Sequence, residues 1–195
     1  MIGGAEIARN LQGAFRLAAR DPSGLQTFDT GIDGFWRSFF AGVVALPFYV
    51  AVLAAGQAAP DDMPVTVTAT AYVLTQAIAY VCGWFAFPLA MLYVTRFIGR
   101  EQSYLSYITA ANWCSVIPLG IFGVLALLGA SGTIPTGILG IVYFGVLVWT
   151  LMFHWFVARV ALQINGIGAA GIVALDLLLG LMVSGAADAI VSQPI

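Results

Sequence analysis

GAAGIVALDLLLGLMVSGAADAI, residues 168–190, is the stretch whose reading decides the fold. At about 1.5 Å per residue it is long enough to cross a hydrocarbon layer of roughly 30 Å as one helix, and it is apolar almost throughout. The exception in its middle is Asp176. A carboxylate inside such a segment is expensive in lipid, so it marks a candidate functional site and calls for a partner. Asp176, Gly180, Ser184 and Asp188 recur every four residues along one stripe, with Leu177, Leu178, Leu181 and Met182 on the other side. This spacing predicts that the stripe faces a helical bundle and the leucines face lipid.

Composition carries the same conclusion to the whole chain. Its 195 residues are 61% hydrophobic and 8% charged, whereas a soluble domain needs roughly a quarter charged residues to cover its surface. Barrel strands would show alternating segments of about ten residues, and the long uncharged runs predict an all-α membrane protein instead. Five transmembrane helices are expected, over about 34–59, 65–98, 103–128, 137–160 and 168–190. They form one membrane domain, 31–195, preceded by an N-terminal amphipathic interfacial helix and connection, 1–30. A basic run and a lysine-bearing phosphate loop are both lacking, which argues against nucleic acid and nucleotide as partners.

In the first segment Arg9, Arg16 and Arg20 share one helical face, opposite Ile7, Leu11, Ala14, Phe15 and Ala18. That apolar face suits either the membrane interface or the protein's own bundle, and Asp21-Pro22-Ser23-Gly24 ends the helix. Thr30-Gly31-Ile32-Asp33 has the form of a capping box opening the first span. Pro60 to Pro64 reads as a connection, with Pro64 in the first turn of the second span. From Val65 to Gly99 the only charge is Arg96, over about 50 Å, so one tilted helix kinked at Pro88 is expected rather than two short ones.

All seven cationic residues are arginines, at or near the ends of spans on one side; the opposite loops carry Asp61, Asp62 and Asp188. The positive-inside rule then predicts a bacterial inner-membrane protein with a cytoplasmic N-terminus and an external C-terminus.

Depth counting places Asp176 about 12 Å, Asn112 about 13 Å and His154 about 9 Å from the cytoplasmic ends of their helices. Together with Arg159 they form the candidate intramembrane polar cluster. Two readings stand side by side: a proton- or ion-linked site in which Asp176 titrates beside His154, and a structural clamp in which Asp176 accepts hydrogen bonds from Asn112, His154 or Arg159. Pro47, Pro88 and Pro118 fall inside spans, as is ordinary in membrane helices. Gly166, Ala170 and Ala174 offer a close-approach face, and the tryptophans read as interface anchors or packing. With a single histidine and no cysteine-histidine set, neither a metal nor any other cofactor is expected. Cys82 and Cys114 read as buried reduced thiols.

The half from Ser103 onward, SYLSYITAANWCSVIPLGIFGVLALLG followed by two further spans and a polar turn before GIGAAGIVALDLLLG, resembles the membrane domain of the Yip family. The resemblance implies five spans and a cytoplasmic N-terminus; eukaryotic members resemble adaptors for Rab GTPases in vesicle traffic, and bacterial relatives have no assigned activity. It implies no site residues. The function expected is therefore a non-enzymatic scaffold or accessory subunit, partnered by membrane lipids and by its own copies or other membrane-protein subunits. The alternative is a small transporter or channel with Asp176 as its proton- or ion-linked site.

Overall fold

A computed structural model describes residues 2–57 and 69–191. The described chain is all-α: α1 (Gly4–Ala18), α2 (Ile32–Ser38), α3 (Phe40–Gln57), α4 (Ala69–Phe97), α5 (Tyr104–Ala130), α6 (Thr136–Leu162) and α7 (Gly166–Val191), with short 3-10 turns before α2 and α5. Five segments among the described residues are long and apolar enough to cross a membrane, the first combining α2 and α3. This is a multi-pass membrane protein. The expected connection at 60–64, with Pro64, the start of the second span and the end of the first lie outside the described residues.

The spans bury few of their residues within the protein. Large apolar side chains stand outward along each, such as Val43, Ile78, Val124, Ile141 and Met182. In water such a surface would drive aggregation; in lipid it costs nothing. The strongest exception is α5, whose Ile108, Ala110, Trp113, Cys114 and Val116 are buried. It packs against α1, α2, α3 and α6, and meets α4 beside their short connection, where Tyr104 Oη donates to the Pro88 carbonyl at 3.0 Å. From there α4 packs against α7, and α7 against α6. Between α3 and α4 the join is made by aromatic side chains: Phe39 stacks on Phe85 at 4.8 Å, Tyr49 lies 4.5 Å from Tyr80, and Tyr80 Oη donates to the Gly42 carbonyl at 2.6 Å. The five spans thus close a ring in the order α3, α5, α6, α7, α4.

Several local expectations are corrected. The first span is interrupted at Phe39, where Ser38 Oγ donates back to the Phe35 carbonyl at 2.6 Å and a turn separates α2 from α3. A serine hydroxyl that bonds the preceding turn in this way competes with the regular helical ladder. The capping box does not form. The N-cap is Gly31, one residue later than the motif requires, without a side-chain cap, and Asp29 Oδ1 instead accepts the Gly31 N–H at 3.0 Å. By contrast α4 runs unbroken through Cys82, Gly83 and Pro88, as one helix.

The apolar face of α1 packs on the bundle. Asn10, Gly13, Ala14 and Leu17 are buried, α1 contacts α5 and α6, and Phe15, assigned to the same face by spacing, is 60% exposed. Asp21 caps the turn that follows; the Ser23 hydroxyl and amide, at 2.7 and 2.9 Å, hold its carboxyl below the usual carboxylate range. Arg37 ties this layer together through Glu6 of α1 at 2.8 Å and Asp29 at 2.6 Å. Arg20 stacks over Phe156, Arg159 over Trp155, and Arg100 Nη2 donates to the Gln163 carbonyl at 3.1 Å. The arginines therefore gather at one end of the ring. Of the two cysteines, Cys114 is buried as expected, but Cys82 stands on an exposed face of α4.

Two of the spans, α3 and α5, approach each other closely. A Cβ built on Gly123 would lie 2.9 Å from Phe48 Cβ and 3.0 Å from the Phe48 carbonyl oxygen, so it would meet backbone; one on Gly120 would lie 3.7 Å from Phe48 Cε2, an ordinary contact. Gly123→Ala is therefore expected to destabilise the protein by about 1–3 kcal/mol through overpacking. Gly120→Ala should be neutral or slightly stabilising, because alanine favours helix by up to about 1 kcal/mol. Thermal unfolding of the two variants in detergent, run side by side, checks this contrast.

Candidate functional site

Inside the ring lies a cavity of about 620 Å³ to which all five spans contribute. The stripe predicted on α7 lines it in full: Asp176, Gly180, Ser184 and Asp188 face the cavity, and Leu177, Leu178, Leu181 and Met182 are exposed on the opposite side. The remaining walls follow the same helical arithmetic, with Tyr72, Gln76 and Tyr80 on α4, Tyr107, Ala111, Ser115 and Phe122 on α5, Thr150, His154 and Val157 on α6, and Tyr49 on α3. From Asp176 to Asp188 the cavity runs about 18 Å along α7.

His154 Nδ1 lies 3.4 Å from Asp176 Oδ2. This is a long hydrogen bond, and among the described residues it is the one side-chain partner that Asp176 has. With four lone-pair positions on the carboxylate and 37% of its side chain accessible, most of its hydrogen-bonding capacity opens on the cavity. If Nδ1 carries the proton toward Asp176, Nε2 becomes an acceptor; that atom is buried and has no hydrogen-bond partner among the described residues. The pair is thus polar, adjacent and under-satisfied, whereas a structural clamp requires saturation.

Two of the other residues expected around Asp176 have different partners. Asn112 lines the cavity, but its Nδ2 donates to Ser38 Oγ at 2.9 Å, with both residues buried. Its role is to pin the α2–α3 break to α5. The Arg159 guanidinium lies over the Trp155 ring, 5.3 Å from its centroid, and Trp155 Nε1 in turn donates to the Gly166 carbonyl at 2.8 Å, clipping α6 to α7. The small-residue face proposed on α7 is also revised: Gly166 meets Trp155, but Ala170 and Ala174 are exposed, and α7 packs through Ala169 and Ile172 instead.

Depth counting brought Asn112, His154 and Asp176 to one cavity but did not supply the walls. Gln76, Tyr49 and Tyr80 belong to the site and stood outside the expected cluster; Tyr49 Oη lies 3.0 Å from Gln76 Oε1. The signal that could have found them is the recurrence of Tyr72, Gln76 and Tyr80 every four residues on α4, the pattern that marked α7.

No protein-family model matches this chain, and neither does any curated protein or solved structure. Among the described residues no group of three or more histidine, cysteine, aspartate or glutamate side chains is placed to hold a metal ion.

Ser38→Ala is expected to cost about 1–3 kcal/mol, because the Asn112 amide loses its acceptor inside the bundle. Adding Asn112→Leu to that variant should recover part of the loss, a non-additivity that a double-mutant cycle of unfolding free energies measures directly.

Proposed function

We propose that this protein is a small transporter or channel whose pathway is the central cavity, with Asp176 as its proton- or ion-linked site and His154 as the neighbour that shares its proton. The observation that carries the reading is the under-coordinated carboxylate of Asp176, held at membrane depth and turned into a cavity of about 620 Å³. Carboxylates kept at that depth mark ion and proton pathways when they face a polar interior. A scaffold has no need of a cavity with a carboxylate turned into it, and the cavity is what moves the balance from the scaffold or accessory role expected from the sequence. The clustered arginines support an orientation with that end in the cytoplasm of a bacterial inner membrane and Asp188 toward the outside.

Asp176→Asn keeps most of the hydrogen-bonding capacity and removes the charge. In liposomes loaded with a pH-sensitive dye, under an imposed membrane potential, the wild-type protein should carry a proton-dependent flux that the variant loses while its melting temperature stays close to wild type. If the variant shifts only the melting temperature, with flux equal in both proteins or equal to empty liposomes, Asp176 is a structural residue and the scaffold reading takes its place.

A further inference from the structure

We infer that the ligand of the cavity is an organic cation, bound with its charge at Asp176 and its apolar body against the aromatic wall; this rests on the transport reading above. The sign of the charge comes first. The lining holds two carboxylates, one imidazole and no arginine. The arginines are drawn to one end of the ring, where Arg37, Arg100 and Arg159 are occupied by Glu6 and Asp29, the Gln163 carbonyl and Trp155. An anionic solute would meet like charge at Asp176 and again at Asp188, an arrangement that disfavours it.

Size and wall chemistry separate an organic from an inorganic cation. A bare metal ion requires a tight shell of several oxygen ligands at roughly 2–2.6 Å, and no cluster of three histidine, cysteine, aspartate or glutamate side chains exists among the described residues to anchor one. A cavity of about 620 Å³ lies instead in the range of roughly 300–1,000 Å³ that accommodates a drug-sized molecule. Tyr80, Trp84, Phe87, Tyr107 and Phe122 supply an aromatic wall in the same cavity as the two carboxylates. Aromatic faces attract a cation while burying its hydrocarbon body, and Asp176, with one long hydrogen bond from His154, retains free lone pairs for the charge. Asp188, three turns along the same stripe, provides a second anionic station toward the other end.

The test uses two probes of nearly the same shape and opposite charge, tetraphenylphosphonium and tetraphenylborate, titrated calorimetrically into the purified full chain in a neutral detergent. The cation should bind saturably and at least about tenfold more tightly than the anion. Asp176→Asn should weaken the cation by about tenfold, as expected for a lost charge-assisted contact. Asp188→Asn should weaken it severalfold; this residue is exposed, so the variant decides the matter if Asp176→Asn fails to fold. Equal binding of the two probes, no binding of the cation, or cation binding that neither substitution weakens would overturn the inference. The outcome separates from the flux experiment: proton flux without cation preference removes the ligand class and leaves the transport reading, whereas Asp176-dependent cation binding without flux does the reverse.

Discussion

A carboxylate in the middle of an apolar helix cannot be left facing lipid, and the arrangement of the whole bundle answers to that constraint. Ionised Asp176 in hydrocarbon would cost several kcal/mol or would be forced to hold its proton. The ring satisfies it by turning α7 so that its leucines meet lipid and its stripe of small and polar residues meets a cavity. Every other span then has to present a compatible face, and each does so by a residue repeat of three or four. That requirement explains why polar side chains such as Gln76, Ser115 and Thr150 lie inside an otherwise apolar domain.

A ring enclosing a cavity needs a reason not to collapse. The hydrophobic effect supplies little force between helices in lipid, so close packing and interhelical hydrogen bonds must hold the spacing. Gly123 lets α5 approach the Phe48 backbone, and the buried Asn112–Ser38 bond fixes the bend between α2 and α3 against the same helix. Across the cavity, α3 and α4 are held apart by Tyr49, Tyr80 and Trp84 rather than meeting backbone to backbone. Large aromatics there act as spacers with hydrogen-bonding tips. One side of the ring is close-packed, and the other is propped open.

Much of this was legible in the residues. Five spans, the unbroken fourth helix through Pro88 and the two faces of α7 all follow from hydropathy and helical period, because lipid enforces those patterns strictly. Counting depth put His154 and Asn112 in one layer with Asp176, and of these it is His154 that lies beside the carboxylate. What the residues did not disclose depends on lateral order: which helix stands beside which decides that Asn112 reaches Ser38 instead of Asp176, and that Ala170 and Ala174 face outward. Nor does periodicity distinguish α1 docked on its own bundle from α1 lying on lipid, since both bury the same face. The break at Phe39 depends on a hydroxyl whose alternative acceptor is three residues away, and a span of that composition otherwise reads as continuous.

The α7 stripe of Asp176, Gly180, Ser184 and Asp188 lines the central cavity while the neighbouring residues face lipid. Single cysteines placed at Ser184 and at Met182, in protein whose native Cys82 and Cys114 are replaced, test it through reaction with a charged, water-soluble thiol reagent in intact membranes. Cavity-lining Ser184→Cys should react readily and Met182→Cys, two residues away and turned outward, should stay largely unmodified. Equal labelling of the two positions, or labelling of Met182→Cys alone, would contradict the account.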